Sequence, residues 1–103
     1  MRKAHLQVSG VNAGVLSEKT KGTSYVFEYL PNYIGEPVSV TMPVSQQVYN
    51  FDEFPSFFDG LLPEGWQLDN LLKIKKIDRG DFFSQLIAVG DDLVGNVTIK
   101  EIK

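Results

Sequence analysis

Asp91 and Asp92 form an acidic pair of the kind that holds a cation, yet adjacent side chains in an extended stretch point opposite ways. No EF-hand series of ligands follows them, so a turn or cap is the better reading. The run Ser9-Gly10-Val11-Asn12-Ala13-Gly14 has two glycines four apart. A phosphate loop also needs a closing Gly-Lys-Ser/Thr, and a dinucleotide loop needs a third glycine before a helix. This run leads from one strand pattern into another, which makes it a hairpin. The single histidine, His5, stands in a strand pattern with no acid at useful spacing. Lys73, Lys75, Lys76 and Arg79 are interleaved with Asp69, Asp78 and Asp81 and read as a mixed surface. No nucleophile is paired with a base. The expectation is a non-enzyme with no catalytic residue, no cofactor and no metal.

The chemistry that remains is recognition. FDEFPSFFDGLLPEGW, residues 51–66, places five large aromatics in sixteen positions and holds the only tryptophan. Phe54, Phe57, Phe58, Leu61 and Leu62 recur at helical spacing, and Pro63 and Gly65 then break the helix. Trp66 sits just beyond that break. An aromatic there is either a lid on the core or an anchor for a partner. As an anchor it would be presented by the Pro63-Glu64-Gly65 corner, with Glu64 and Asp59 adding polar contacts.

Composition narrows the partner. A chain of 103 residues is expected to form one domain, 1–103, with one modest core. A net charge of −3 argues against direct nucleic-acid binding, which needs a basic surface. Without cysteine there is no disulfide or zinc–thiolate site. No apolar run approaches the roughly 20 residues that cross a bilayer, and the start MRKAHLQVSG lacks the apolar core of a signal peptide. The expected location is cytoplasmic, away from any membrane.

The elements that position these residues change period near residue 50. Residues 1–50 read as strands. Ala4, Leu6 and Val8 alternate with His5, Gln7 and Ser9; Gly10 to Asn12 turn the chain; Ala13–Glu18 returns. Tyr25, Phe27 and Tyr29 mark a third strand. Val38 and Val40, bracketed by Pro37 and Pro43, mark a short fourth. Residues 51–90 read as helices. The first runs from about Phe54 to Leu62 with Asp52 as N-cap, and the second starts near Glu64 and carries Trp66, Leu68, Leu71 and Leu72. The third is capped by Asp81 and carries Phe82, Phe83, Leu86 and Ile87, ending at Gly90. Residues 91–103 close with a strand through Val97 and Ile99. The expected fold is α+β: a small antiparallel, partly closed sheet of about five strands packed with three short helices. Phe27, Phe57, Phe58, Leu61, Leu72, Phe83 and Leu86 are the expected core.

Three segments also resemble the N-terminal subdomain of HipA-type serine/threonine kinases: PVSVTMP at 37–43, FFDGLLPEG at 57–65 and DFFSQLIAVGDDLVGNVTI at 81–99. Asp59, Leu61, Leu62, Pro63, Glu64 and Gly65 fit the family pattern closely, as do Gly90, Asp91 and Gly95. Gly60, Phe82 and Asn96 stand where the family often has asparagine, proline and alanine. The family's kinase elements lie in a longer C-terminal region that has no counterpart here, so the resemblance implies no phosphoryl transfer. A free copy of this subdomain is similar to HipS, the small component of split HipBST toxin–antitoxin systems. That likeness implies a non-catalytic antitoxin that binds and inhibits a separate HipT-like kinase, with a HipB-like helix-turn-helix protein as a further partner in a ternary complex. The alternatives are a scaffold joining the kinase to the DNA-binding antitoxin without inhibiting it, or an N-terminal subdomain excised from a full-length HipA-like kinase.

Overall fold

The computed structural model of the chain describes residues 1–91, 93 and 96–102. In β1 (Arg2–Val8) alternation buries Ala4, Leu6 and Val8 and leaves Lys3 and His5 exposed. Ser9 and Gly10 turn the chain with φ of 51° and 82°, so the turn falls earlier than expected. Positive φ at both residues matches the twist of the flanking strands. β2 (Val11–Thr20) returns with a bulge: Leu6 faces Gly14 and Gln7 faces Asn12, leaving Ala13 as the extra residue. The bulge sets the register of the adjacent apolar pair Val15 and Leu16, and Leu16 is the one that faces the core. β3 (Ser24–Tyr29) buries Tyr25, Phe27 and Tyr29.

The expected fourth strand at Val38 and Val40 is not formed; that segment makes one isolated bridge, Ser39 with Met42. Pro37 and Pro43 remove two donors that a ladder would need. Val38 and Met42 instead fold inward around Tyr29. The tyrosine hydroxyl accepts from Val38 N–H at 3.0 Å and donates to the Met42 carbonyl at 2.5 Å. The fourth strand is β4 (Val48–Phe51), with only Tyr49 and Phe51 half-buried. β5 (Val97–Ile102) pairs with β1. The sheet is antiparallel throughout, in the order β4-β3-β2-β1-β5, and open. Its edges are β4 and β5.

The helices pack on the buried face. α1 (Ser56–Asp59) is one turn, not the expected span from Phe54 to Leu62. Pro55 is its N-cap, with φ −60° and ψ 136°, and proline disfavours helical backbone in the residue before it. Asp52 therefore makes no cap. Beyond Asp59 the chain tightens: Leu61 N–H bonds the Phe58 carbonyl at 3.0 Å and Leu62 N–H the Asp59 carbonyl at 3.1 Å. α2 (Gly65–Lys75) ends where Lys76 turns left-handed, φ 56°, and returns its N–H to the Leu72 carbonyl. α3 (Phe82–Ala88) starts at Asp81, whose carboxylate accepts the Ser84 N–H at 3.2 Å, as the sequence led us to expect. Phe27, Phe58, Leu72, Phe83 and Leu86 are buried as expected. Phe57 and Leu61 are only half-buried at the rim, because one turn of α1 presents one core position, Phe58. Asp92 and Gly95 lie outside the described residues. Among the described residues no helix is long and apolar enough to cross a membrane.

Candidate functional site

The corner between α1 and α2 is built by backbone constraint. Pro63 is half-buried, Glu64 is extended at φ −129° and ψ 165°, and Gly65 has φ +60°, a conformation that costs a side chain steric strain. The chain thus changes direction over three residues and starts a helix whose second residue is Trp66. That indole is 74% exposed. It does not cover the core, which excludes the lid reading. Asp59, at the end of α1, and Glu64 are exposed on either side of the same turn. Among the described residues neither carboxylate makes an ion pair. The five residues singled out from sequence, Asp59, Pro63, Glu64, Gly65 and Trp66, therefore meet at one exposed corner.

α2 adds to this surface because it buries so little. Leu72 is its one buried side chain, with Leu68 and Leu71 half-buried beside it. Trp66, Asn70 and Ile74 follow at four-residue spacing and share the outward face. Ile74 is 68% exposed. Two large apolar side chains eight residues apart on one solvent face serve no packing need of the fold. Arg79, in the loop after α2, reaches back to donate to Asp69 Oδ1 in the middle of the helix at 2.5 Å.

A second constellation was not found from sequence. Arg2 crosses from β1 to both β2 and α3. Its Nε donates to Glu18 Oε1 at 2.8 Å, Nη2 to Asp81 Oδ1 at 2.8 Å and Nη1 to Ser84 Oγ at 2.7 Å, and its guanidinium lies 5.0 Å from the centre of the Phe83 ring. Glu18, only 4% exposed, also accepts from the Tyr25 hydroxyl at 2.9 Å. The available signal was the position of Glu18 on the inward register of β2, hidden by the Ala13 bulge. Ser84 Oγ donates to Asp81 Oδ2 at 2.8 Å, a hydroxyl–carboxylate pair that invites a catalytic reading. Burial alone would raise the Asp81 carboxyl, but the bonds from Arg2 and Ser84 outweigh it and hold the group below its usual range. A carboxylate so stabilised is a poor base. The constellation fastens the sheet to α3. His5 is exposed on β1, away from any of this.

An open groove of about 710 Å³ lies beside the β1–β2 turn, walled by Val8, Val11, Leu30, Pro31, Tyr33 and Ile34. Among the described residues that line it there is no acid–base pair, and Glu36 is the one charged group.

The fold has known relatives. The model of the HipA N-terminal domain matches residues 4–100. An uncharacterized protein of Haemophilus influenzae is 32% identical over 103 residues, covering all of this chain and 95% of that protein. The solved structure of an N-terminal domain of HipA toxin superposes with a TM-score of 0.78 at 30% identity, covering all of this chain and 94% of the other. By sequence and by fold the chain belongs to the HipA N-terminal domain family, the non-catalytic part of HipA.

Proposed function

We propose that the chain is an antitoxin of the HipS kind: it binds a separate HipT-like serine/threonine kinase through the Trp66 corner and restrains its activity. The observation that supports this reading most is the exposure of Trp66 on a helix start that the backbone holds in place. A tryptophan buries large apolar area with few rotatable bonds, and the residues that dominate interfaces are enriched in it. The corner costs little to order on binding, since Pro63 fixes one dihedral and the turn is already formed. Glu64 and Asp59 would form the polar rim, and Gly65 the pivot. A HipB-like DNA-binding protein is the natural third member of such a complex.

The substitution Trp66→Ala tests the interface. Since the indole makes little contact with the fold, the melting temperature should barely move. Affinity for the kinase, measured by titration calorimetry, should fall by about 2 kcal/mol or more. Wild-type affinity in a folded W66A protein would remove the corner from the interface.

A further inference from the structure

The charges of this chain are segregated in sequence. From Gly22 to Leu72 there is no lysine, arginine or histidine, while Glu28, Glu36, Asp52, Glu53, Asp59, Glu64 and Asp69 all lie in that span. All seven are exposed. The whole chain stands at −3, so the remainder holds an excess of four positive charges. The ion pairs that fasten the fold lie in that remainder: Arg2 with Glu18 and Asp81, and Lys21 with Asp81. Of the seven carboxylates only Asp69 is paired, to Arg79; among the described residues the other six have no ion partner. The fold therefore does not use them, and Trp66 stands between two of them in sequence, Glu64 and Asp69.

Resting on the kinase-binding reading of that corner, we infer that the partner receives Trp66 in an apolar pocket bordered by lysine or arginine, and that long-range attraction to these carboxylates sets the rate of association. Seating the indole brings Glu64, two residues away, into the rim of the contact. A carboxylate stripped of water there opposes binding unless a cation meets it. A neutral or acidic pocket is thereby disfavoured, as are nucleic acid and anionic lipid. Charges outside the contact, such as Asp52 and Glu53, still act at a distance, because a one-signed surface raises the encounter rate without tightening the final complex.

The test is stopped-flow association of the chain with its purified HipA-like kinase between 50 and 500 mM NaCl. The association rate constant should fall about tenfold or more across that range. The exposed-site variant D52N/E53Q/D59N/E64Q should associate several-fold more slowly at low salt and show a flattened salt dependence. W66A should act differently, raising the dissociation rate and leaving the salt dependence of association intact. An association rate that ignores salt, or rises with it, overturns the inference even if W66A dissociates fast. If W66A dissociates like the wild type while the salt dependence persists, the anchor reading fails and the steering stands. A kinase that does not bind the wild-type chain overturns both.

Discussion

Arg2 ties β1 to both β2 and α3. It is the shared partner of two carboxylates on different elements, one of them nearly inaccessible to water. Burial works against its charge, but the bonds to Asp81 and Glu18 outweigh that and keep the guanidinium more firmly protonated than usual. Arg2 keeps 30% of its side chain exposed while Glu18 is buried, so Arg2→Ala strands a carboxylate in a partly buried site and should cost about 1–3 kcal/mol in urea unfolding. A loss below about 1 kcal/mol would show that water replaces the guanidinium. The same cluster sets the limits in pH. Asp81 has a folded value below its unfolded one, so its stabilising share is complete above about pH 4 and is lost as pH falls through the folded value. Tyr25 acts at the other end: burial first, then the bond to Glu18, push its phenol up to about 12. Its share is complete below about pH 10 and is lost as pH rises toward 12. Melting temperature against pH should therefore drop at both extremes, and Tyr25→Phe should soften the alkaline drop. An alkaline limb unaltered by that substitution would contradict the assignment. At this scale the Trp66 corner was legible in the sequence because proline and glycine dictate backbone locally. The Arg2 cluster was not, since its members come from β1, β2 and the start of α3, as much as 79 residues apart, and no local spacing joins them.

Elements were legible where one period ran unbroken. β1, β3 and α3 appear where alternation or helical spacing places them, and the Asp81 cap forms as its type predicts. Two readings failed for a shared reason, that proline controls its neighbours as well as itself. Pro55 cut α1 to a turn, and Pro37 and Pro43 turned a strand pattern into a loop that wraps Tyr29. β4 was missed because an edge strand of four residues with no fully buried side chain has no strong alternation. Two predictions belong here. Gly90 ends α3 with its Cα against the Ile99 carbonyl, and a Cβ there would collide with that oxygen. Gly90→Ala should destabilise the fold by about 1–3 kcal/mol by pushing β5 away from α3; unchanged unfolding would show that the junction yields freely. α2 is held chiefly by Leu72, so its amides should exchange with deuterium well before those of β1, β2 and β5. Leu72→Ala should abolish protection in α2 while the sheet keeps its own. Simultaneous loss in both would show that helix and sheet form one cooperative unit.

At the scale of the whole molecule, an open five-stranded sheet has its core on one face, and the helices that cover it leave an exposed tryptophan corner and an acidic middle segment. The HipA N-terminal domain fold accounts for the sheet and helices. Trp66 and Ile74 of this chain face water, and that is where the proposal of a kinase-restraining subunit takes hold. The most direct measurement is substrate phosphorylation by the purified HipA-like kinase as this chain is added. The account predicts that activity falls to background as the complex saturates, and that W66A restores it at the same concentration. Full kinase activity in a saturated complex would contradict inhibition and leave a scaffold in its place.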